Sequence, residues 1–142
     1  MRHRKSKYTL DRKAAARNSL IKNLAQSLVL HEKIKTTKTK AMAARGLAEN
    51  LISWGKLNDL HGKRMLRRYL SEIAMKRLIS EVAPRLSDRT SGYTRITDLG
   101  SRFGDGAQMA VLEYLLQPKA DKPVKSAKTV EKKSEKSDKK KT

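Results

Sequence analysis

The chain has 142 residues, 34 Lys plus Arg against 14 Asp plus Glu, a net charge of +20 and no cysteine. No run of ~18 apolar residues occurs, so a helical membrane span is excluded; the missing thiols exclude disulfides, thiolate nucleophiles and Cys-based zinc sites, and suit a reducing cytoplasm. A charge so unbalanced is stabilised by a polyanion, either nucleic acid or an anionic membrane surface.

The first stretch, MRHRKSKYTLDRKAAARNSL, carries seven Lys or Arg within its first seventeen residues and one acid, Asp11. It does not read as a secretory signal, because Lys22, Asn23 and Gln26 interrupt the apolar run that must follow. Nor does it read as a mitochondrial presequence, whose amphipathic pattern should not continue into a globular domain. Residues 1–10 are therefore expected to be a basic arm of the mature protein. Leu20, Ile21, Leu24, Ala25 and Leu28 then recur at helical spacing and predict a helix over about 11–30 that packs on a core.

HEKIKTT changes the period to two, predicting a short strand with Ile34 and Thr36 on one side and Lys33, Lys35 and Thr37 on a wet, basic face. Thr37 or Thr39 can cap a second helix whose apolar face is Ala43, Leu47, Leu51 and Trp54, with Gly55 as its stop. Asp59 can cap a short helix through LHGKRMLRRYL. Ser71 can cap another through EIAMKRLISEVA, with Ala74, Leu78 and Val82 in register and Pro84 ending it. GYTRITDLGSRFGDGAQMAVLEYLL predicts two strands around a loop bearing Gly100, Gly104 and Gly106. The second strand is apolar on both sides, Met109, Val111 and Leu115 against Ala110, Leu112 and Tyr114, which places it in the centre of three.

These elements make one α+β domain over 11–117, about four helices packed on one face of a small three-stranded mixed or antiparallel sheet. Residues 118–142 hold 10 Lys, 4 acids and no Arg or aromatic residue, and are too apolar-poor to offset their ordering entropy. They are expected to form a disordered Lys-rich tail, either a solvated segment or a weak polyanion-binding arm. All 13 Arg lie between Arg2 and Arg102. Their rigid planar forks suit fixed phosphate geometry, whereas the Lys of the tail are hydrated point charges on flexible stems.

No catalytic constellation is legible. His3, His31 and His61 lack the i, i+4 spacing that brings two ligands to one helical face. Asp98, Asp105 and Glu113 could in principle gather around Mg²⁺, but Asp105-Gly106 reads more simply as a turn and Asp98 as a strand end. GSRFGDG lacks the Gly-Lys-Ser/Thr ending of a phosphate-binding loop. No enzyme, cofactor, metal site or small-molecule substrate is expected.

Six aromatic residues and no basic, glycine and aromatic run argue against stacking of splayed single strands, and favour recognition of phosphates, 2′-hydroxyls and helix shape. Two rivals stand beside a folded RNA. A DNA-compacting protein needs only charge and a Lys, Ala and Pro tail. An anionic-membrane binder needs a long apolar face flanked by Trp and Lys, which is lacking.

Four separated segments, MRHRKS, LVLHEKIKTTKTKA, APRLSDRTSGYTRI and GDGAQMAVLEYL, closely resemble the L17 family of bacterial large-subunit ribosomal proteins, in the family's order, over about 1–116. The resemblance implies a structural protein bound to 23S rRNA near the outer end of the nascent-chain exit tunnel, ribosome-bound in the cytoplasm beside other large-subunit proteins, with no catalysis. By position it implies that Arg2, His3, Arg4 and Lys5 thread into rRNA, and that Lys35, Thr36 and Thr37 present a strand-to-helix junction. Arg85, Arg89, Tyr93 and Arg95 would form a second basic surface, with Arg102 nearby. The early cations Lys7, Arg12, Lys13 and Arg17 complete the candidate RNA-binding set. Lys7 and Tyr8 stand where the family commonly has a glycine followed by a basic residue, and Ser91 replaces the first of its usual Gly-Gly pair, making that turn less permissive. No role transfers to the tail beyond Gln117.

Overall fold

A computed structural model describes residues 8–117 of the chain. The expected arm up to Lys7 and the expected tail after Gln117 lie outside the described residues. The elements, in order, are α1 (Ala14–His31), β1 (Lys33–Thr37), α2 (Lys38–Leu57), α3 (Leu60–Arg67), α4 (Glu72–Arg77), β2 (Thr94–Ser101) and β3 (Gln108–Tyr114). The α+β class, the four helices and the three-stranded sheet match the sequence expectation.

Helix α1 starts at Ala14, later than the periodicity suggests. Leu10 and Asp11 both take positive φ, 51° and 50°, in a turn closed by the Arg12 N–H on the Thr9 carbonyl at 3.2 Å, so the helix cannot extend back through them. It ends where Glu32 turns left-handed, φ 63°, and returns its N–H to the Leu28 carbonyl.

Helix α2 corrects two expectations. Its buried stripe is Ala41, Ala44, Ala48, Leu51, Ile52 and Gly55, while Ala43, Leu47 and Trp54 are only half-buried on the shoulder. Small residues make up much of this face, where α2 packs among α1, α3 and the sheet, while Leu47 and Trp54 lie on its half-buried flank. Gly55 is no stop either: the helix runs on to Leu57 and Asn58 ends it with φ 47°. Gly55 is there for space, since a Cβ would lie 2.9 Å from Leu78 Cδ2. Thr37 occupies the cap position without a side-chain cap bond.

Asp59 and Ser71 cap as expected, accepting from the N–H groups of Gly62 and Ala74. After α4 the chain widens into a π-helical turn, Leu78–Val82, which the Ala83 N–H closes on Leu78, and Pro84–Leu86 follows as a 3₁₀ turn. Ala74, Leu78 and Val82 are all fully buried.

The sheet is antiparallel in the order β1-β3-β2, so β3 is central as its apolar character requires. Its register pairs Ile34 and Ile96 with Leu112, and a bulge between Asp98 and Gly100 bends β2. Ala110, Leu112 and Tyr114 face inward onto α2, which in turn packs against α1 and α3. Leu28, Leu51, Ile52, Leu66, Leu78, Leu86 and Leu112 are fully buried at the centre, each stabilising the fold by about 2 kcal/mol. Among the described residues no helix is long and apolar enough to cross a membrane.

Candidate nucleic-acid interface

Alternation along the strands sends a second set of side chains to the outer side of the sheet. Across it run two rows: Lys33, Glu113 and Arg95, then Lys35, Val111 and Thr97. Lys33, Lys35, Arg95 and Thr97 are exposed, and Val111 and Glu113 half-buried. Lys33, Ile34, Lys35, Thr97, Val111 and Glu113 line a shallow open depression of about 570 Å³. Arg95 lies 4.0 Å from Glu113, whose carboxylate is flanked on its other side by β1 Lys33. Three cations against one carboxylate leave this face positive, with an apolar strip at its middle and hydroxyls beside it. It can take phosphates on its rims and sugar edges between them.

The other candidate residues are dispersed. Arg2, His3, Arg4, Lys5 and Lys7 lie outside the described residues. Arg12 and Lys13 are exposed before α1, and Arg17 donates to the Arg12 carbonyl at 3.3 Å. Thr36 points inward opposite Ala110, and Thr37 outward opposite Met109. Arg85 is largely buried and tied: Nη1 meets Glu32 Oε1 at 2.9 Å, and Nε donates to the Gln117 carbonyl at 2.9 Å. Tyr93 is 4% exposed, and its hydroxyl donates to the Thr90 carbonyl at 2.7 Å. Both hold the 85–95 segment to the core. Arg89 is exposed on that segment, and Lys56 gathers the carbonyls of Ser87 and Arg89 while its Nζ lies 4.6 Å over the Tyr93 ring. At the adjacent turn Gly92, with φ 65°, supplies the left-handed residue, so Ser91 need not.

Arg102 forms an ion pair with Asp105 across the hairpin tip. That guanidinium, together with the Ala107 N–H, holds the Asp105 carboxyl down at about 2. Lys38 similarly meets Asp98 at 2.7 Å. The three carboxylates that could have shared a metal, Asp98, Asp105 and Glu113, thus each face a different cation, and no metal-binding group gathers among the described residues. His31 and His61 are exposed and apart.

Two groups of cations fall outside the candidate set. Lys33 shares the outer sheet face with Lys35, and period-two alternation was the signal for it. Lys63, Arg64, Arg67 and Arg68 crowd on and just beyond α3, and their density in LHGKRMLRRYL was visible in the sequence.

The ribosomal protein L17 family model matches residues 20–115, spanning every helix and strand except the start of α1. The chain belongs to the ribosomal protein L17 family. It is 42% identical over 126 residues to the large ribosomal subunit protein bL17 of Pelobacter propionicus, covering 86% of this chain and 99% of that one. The bL17 of Rubrobacter xylanophilus is 47% identical over 116 residues, covering 81% and 96%. That of Thermodesulfovibrio yellowstonii is 42% identical over 123 residues, covering 86% and 92%. These L17 relatives are named as ribosomal proteins and not as enzymes.

Proposed function

We propose that the chain is a structural constituent of the large ribosomal subunit, supporting translation from the cytoplasmic ribosome. In this reading it binds and helps organise 23S rRNA near the nascent-chain exit side, beside neighbouring large-subunit proteins. The observation that carries the RNA contact is the open outer face of the sheet, with Lys33, Lys35 and Arg95 around the Val111 strip. Membership of the L17 family supports the subunit assignment.

The mechanism is charge neutralisation with positioning. Cations on a rigid sheet replace condensed counterions on RNA helices and hold together segments that would otherwise repel. The cations Arg2, His3, Arg4, Lys5 and Lys7 of the arm, and Arg12, Lys13 and Arg17 at the start of the domain, add to that neutralisation. Thr37 lies on the same outward side of the sheet at the end of β1, whereas Thr36 faces inward, Arg89 is exposed on the segment before β2 and Arg102 sits at the hairpin tip. Arg85 and Tyr93 act through position, because one is committed to Glu32 and the other to the core.

The test is the salt dependence of binding to a 23S rRNA fragment, measured for the wild type and for the triple variant K33Q/K35Q/R95Q. Loss of two or three phosphate contacts should lower the slope of log K against log salt by roughly 2 to 3. An unchanged slope, with the fold intact by circular dichroism, overturns this assignment of the sheet. Equal retention on duplex DNA would point to a general polyanion binder instead.

A further inference from the structure

Helix α3 carries a face that the sheet interface does not use. Gly62 and Leu66 form its buried side, and the approach to α2 is so close that a Cβ on Gly62 would lie 2.6 Å from the Trp54 carbonyl oxygen. This contact fixes the opposite side toward solvent. There Lys63, Arg64 and Arg67 are exposed, Arg68 follows directly, and His61 borders them. Lys22 from α1 lies 5.3 Å over the ring of Tyr69, adding a cation beside the end of α3.

On α2, and on α4 with the turn after it, some cations pair with acids one turn away. On α2 Arg45 meets Glu49, on α4 Lys76 meets Glu72, and Arg77 reaches Glu81 in the turn that follows. On α3 there is no acid at all, and the capping Asp59 accepts from Gly62. None of Lys63, Arg64, Arg67 and Arg68 forms an ion pair among the described residues. Arg67 lowers the Glu72 carboxyl only after the larger effect of Lys76. Lys63 with Arg67, and Arg64 with Arg68, are like-charged neighbours one turn apart, an arrangement that destabilises a helix left to itself. A polyanion laid along the face converts that repulsion into attraction.

The position of the face matters as much as its charge. On one flank of α2 Glu49 accepts from Thr94 of β2 at 2.9 Å. On the other flank Trp54 stacks on Tyr69 at 5.7 Å, next to α3. The sheet thus meets α2 through its inner face near Glu49 and α3 meets it near Trp54, so the α3 cations and the outer face of the sheet are separate surfaces.

We propose that α3, with Lys22, is a second phosphate-binding surface, and that the chain bridges two separate RNA segments. The inference rests on the RNA-binding reading of the sheet. The proposed partner is an A-form RNA backbone, because four exposed cations at helical spacing, none of them in an ion pair among the described residues, match spaced phosphates.

Hydroxyl-radical footprinting of the rRNA in reconstituted large subunits tests it, with the full-length chain as wild type, as K63Q/R64Q/R67Q/R68Q and as K33Q/K35Q/R95Q. Gln is a good helix former and the replaced side chains are exposed, so both variants should keep their circular dichroism. The α3 variant is expected to lose protection at one set of nucleotides and keep the set lost by the sheet variant. On free 23S rRNA its salt slope should fall by roughly 3 to 4. An α3 footprint identical to wild type overturns the proposal, including when a protein cross-link is lost instead. Loss of the same nucleotides in both variants overturns the bridge. Loss in the α3 variant alone overturns the sheet reading and the bridge together, leaving α3 as the RNA surface.

Discussion

On the helix side of β3, Ala110, Leu112 and Tyr114 are buried beneath α2; one residue along, Met109, Val111 and Glu113 look out through the side of the sheet where Lys33, Lys35 and Arg95 are exposed. Each row has an aliphatic residue at its middle, Leu112 in one and Val111 in the other, and the surroundings of the two differ. Leu112 is enclosed by the core, whereas Val111 is half-covered by its strand neighbours Lys35 and Thr97, whose aliphatic parts shield it while the polar ends stay in water. Apolar residues on both sides of a strand therefore mark it as flanked on both edges, and do not require a second layer above it.

The comparison can be broken by truncation. Leu112→Ala should cost about 3 kcal/mol in urea denaturation through the cavity it leaves, whereas Val111→Ala should cost under about 1 kcal/mol. Equal losses would mean that the outer row is as enclosed as the inner one. A smaller effect of opposite sign sharpens it. The Tyr114 hydroxyl is buried with no hydrogen-bond partner among the described residues, and desolvation pushes its pKa up. Tyr114→Phe should therefore gain about 1 kcal/mol, and a loss in the same denaturation measurement would reveal a polar partner on the inner face. The smallest effect belongs to the solvated hairpin tip. Arg102 and the Ala107 N–H favour the charged form of Asp105, so its folded pKa lies below the unfolded one. The contribution to stability is whole above the ordinary carboxylate range and is lost as pH falls through about 2. Carboxyl NMR should find the Asp105 midpoint there; an ordinary midpoint would show that the tip is open.

Much of this architecture could be read from residues near one another in the chain. Caps at Asp59 and Ser71, the alternation in KIKTT and the doubly apolar β3 are local patterns, and all three hold in the structure. The buried stripe of α2 was not legible, because Ala41, Ala44 and Ala48 face the core where α2 packs among α1, α3 and the sheet, and bulkier Leu47 and Trp54 drew the pattern toward the flank. The site was legible only as charge. Whether an arginine is free depends on a carboxylate far along the chain, as Arg85 depends on Glu32, and period and propensity contain nothing of that pairing. The exposed rows on the sheet emerge only once the register is known.

The strand order β1-β3-β2 has a consequence for biosynthesis. The middle member is the last to be made, so β1 and β2 emerge with their pairing edges empty and no hydrogen-bonding partner in each other. Sheet assembly must wait until the ribosome has translated to Tyr114, and a chain halted at Ala107 would offer only an unclosed gap between two orphan strands.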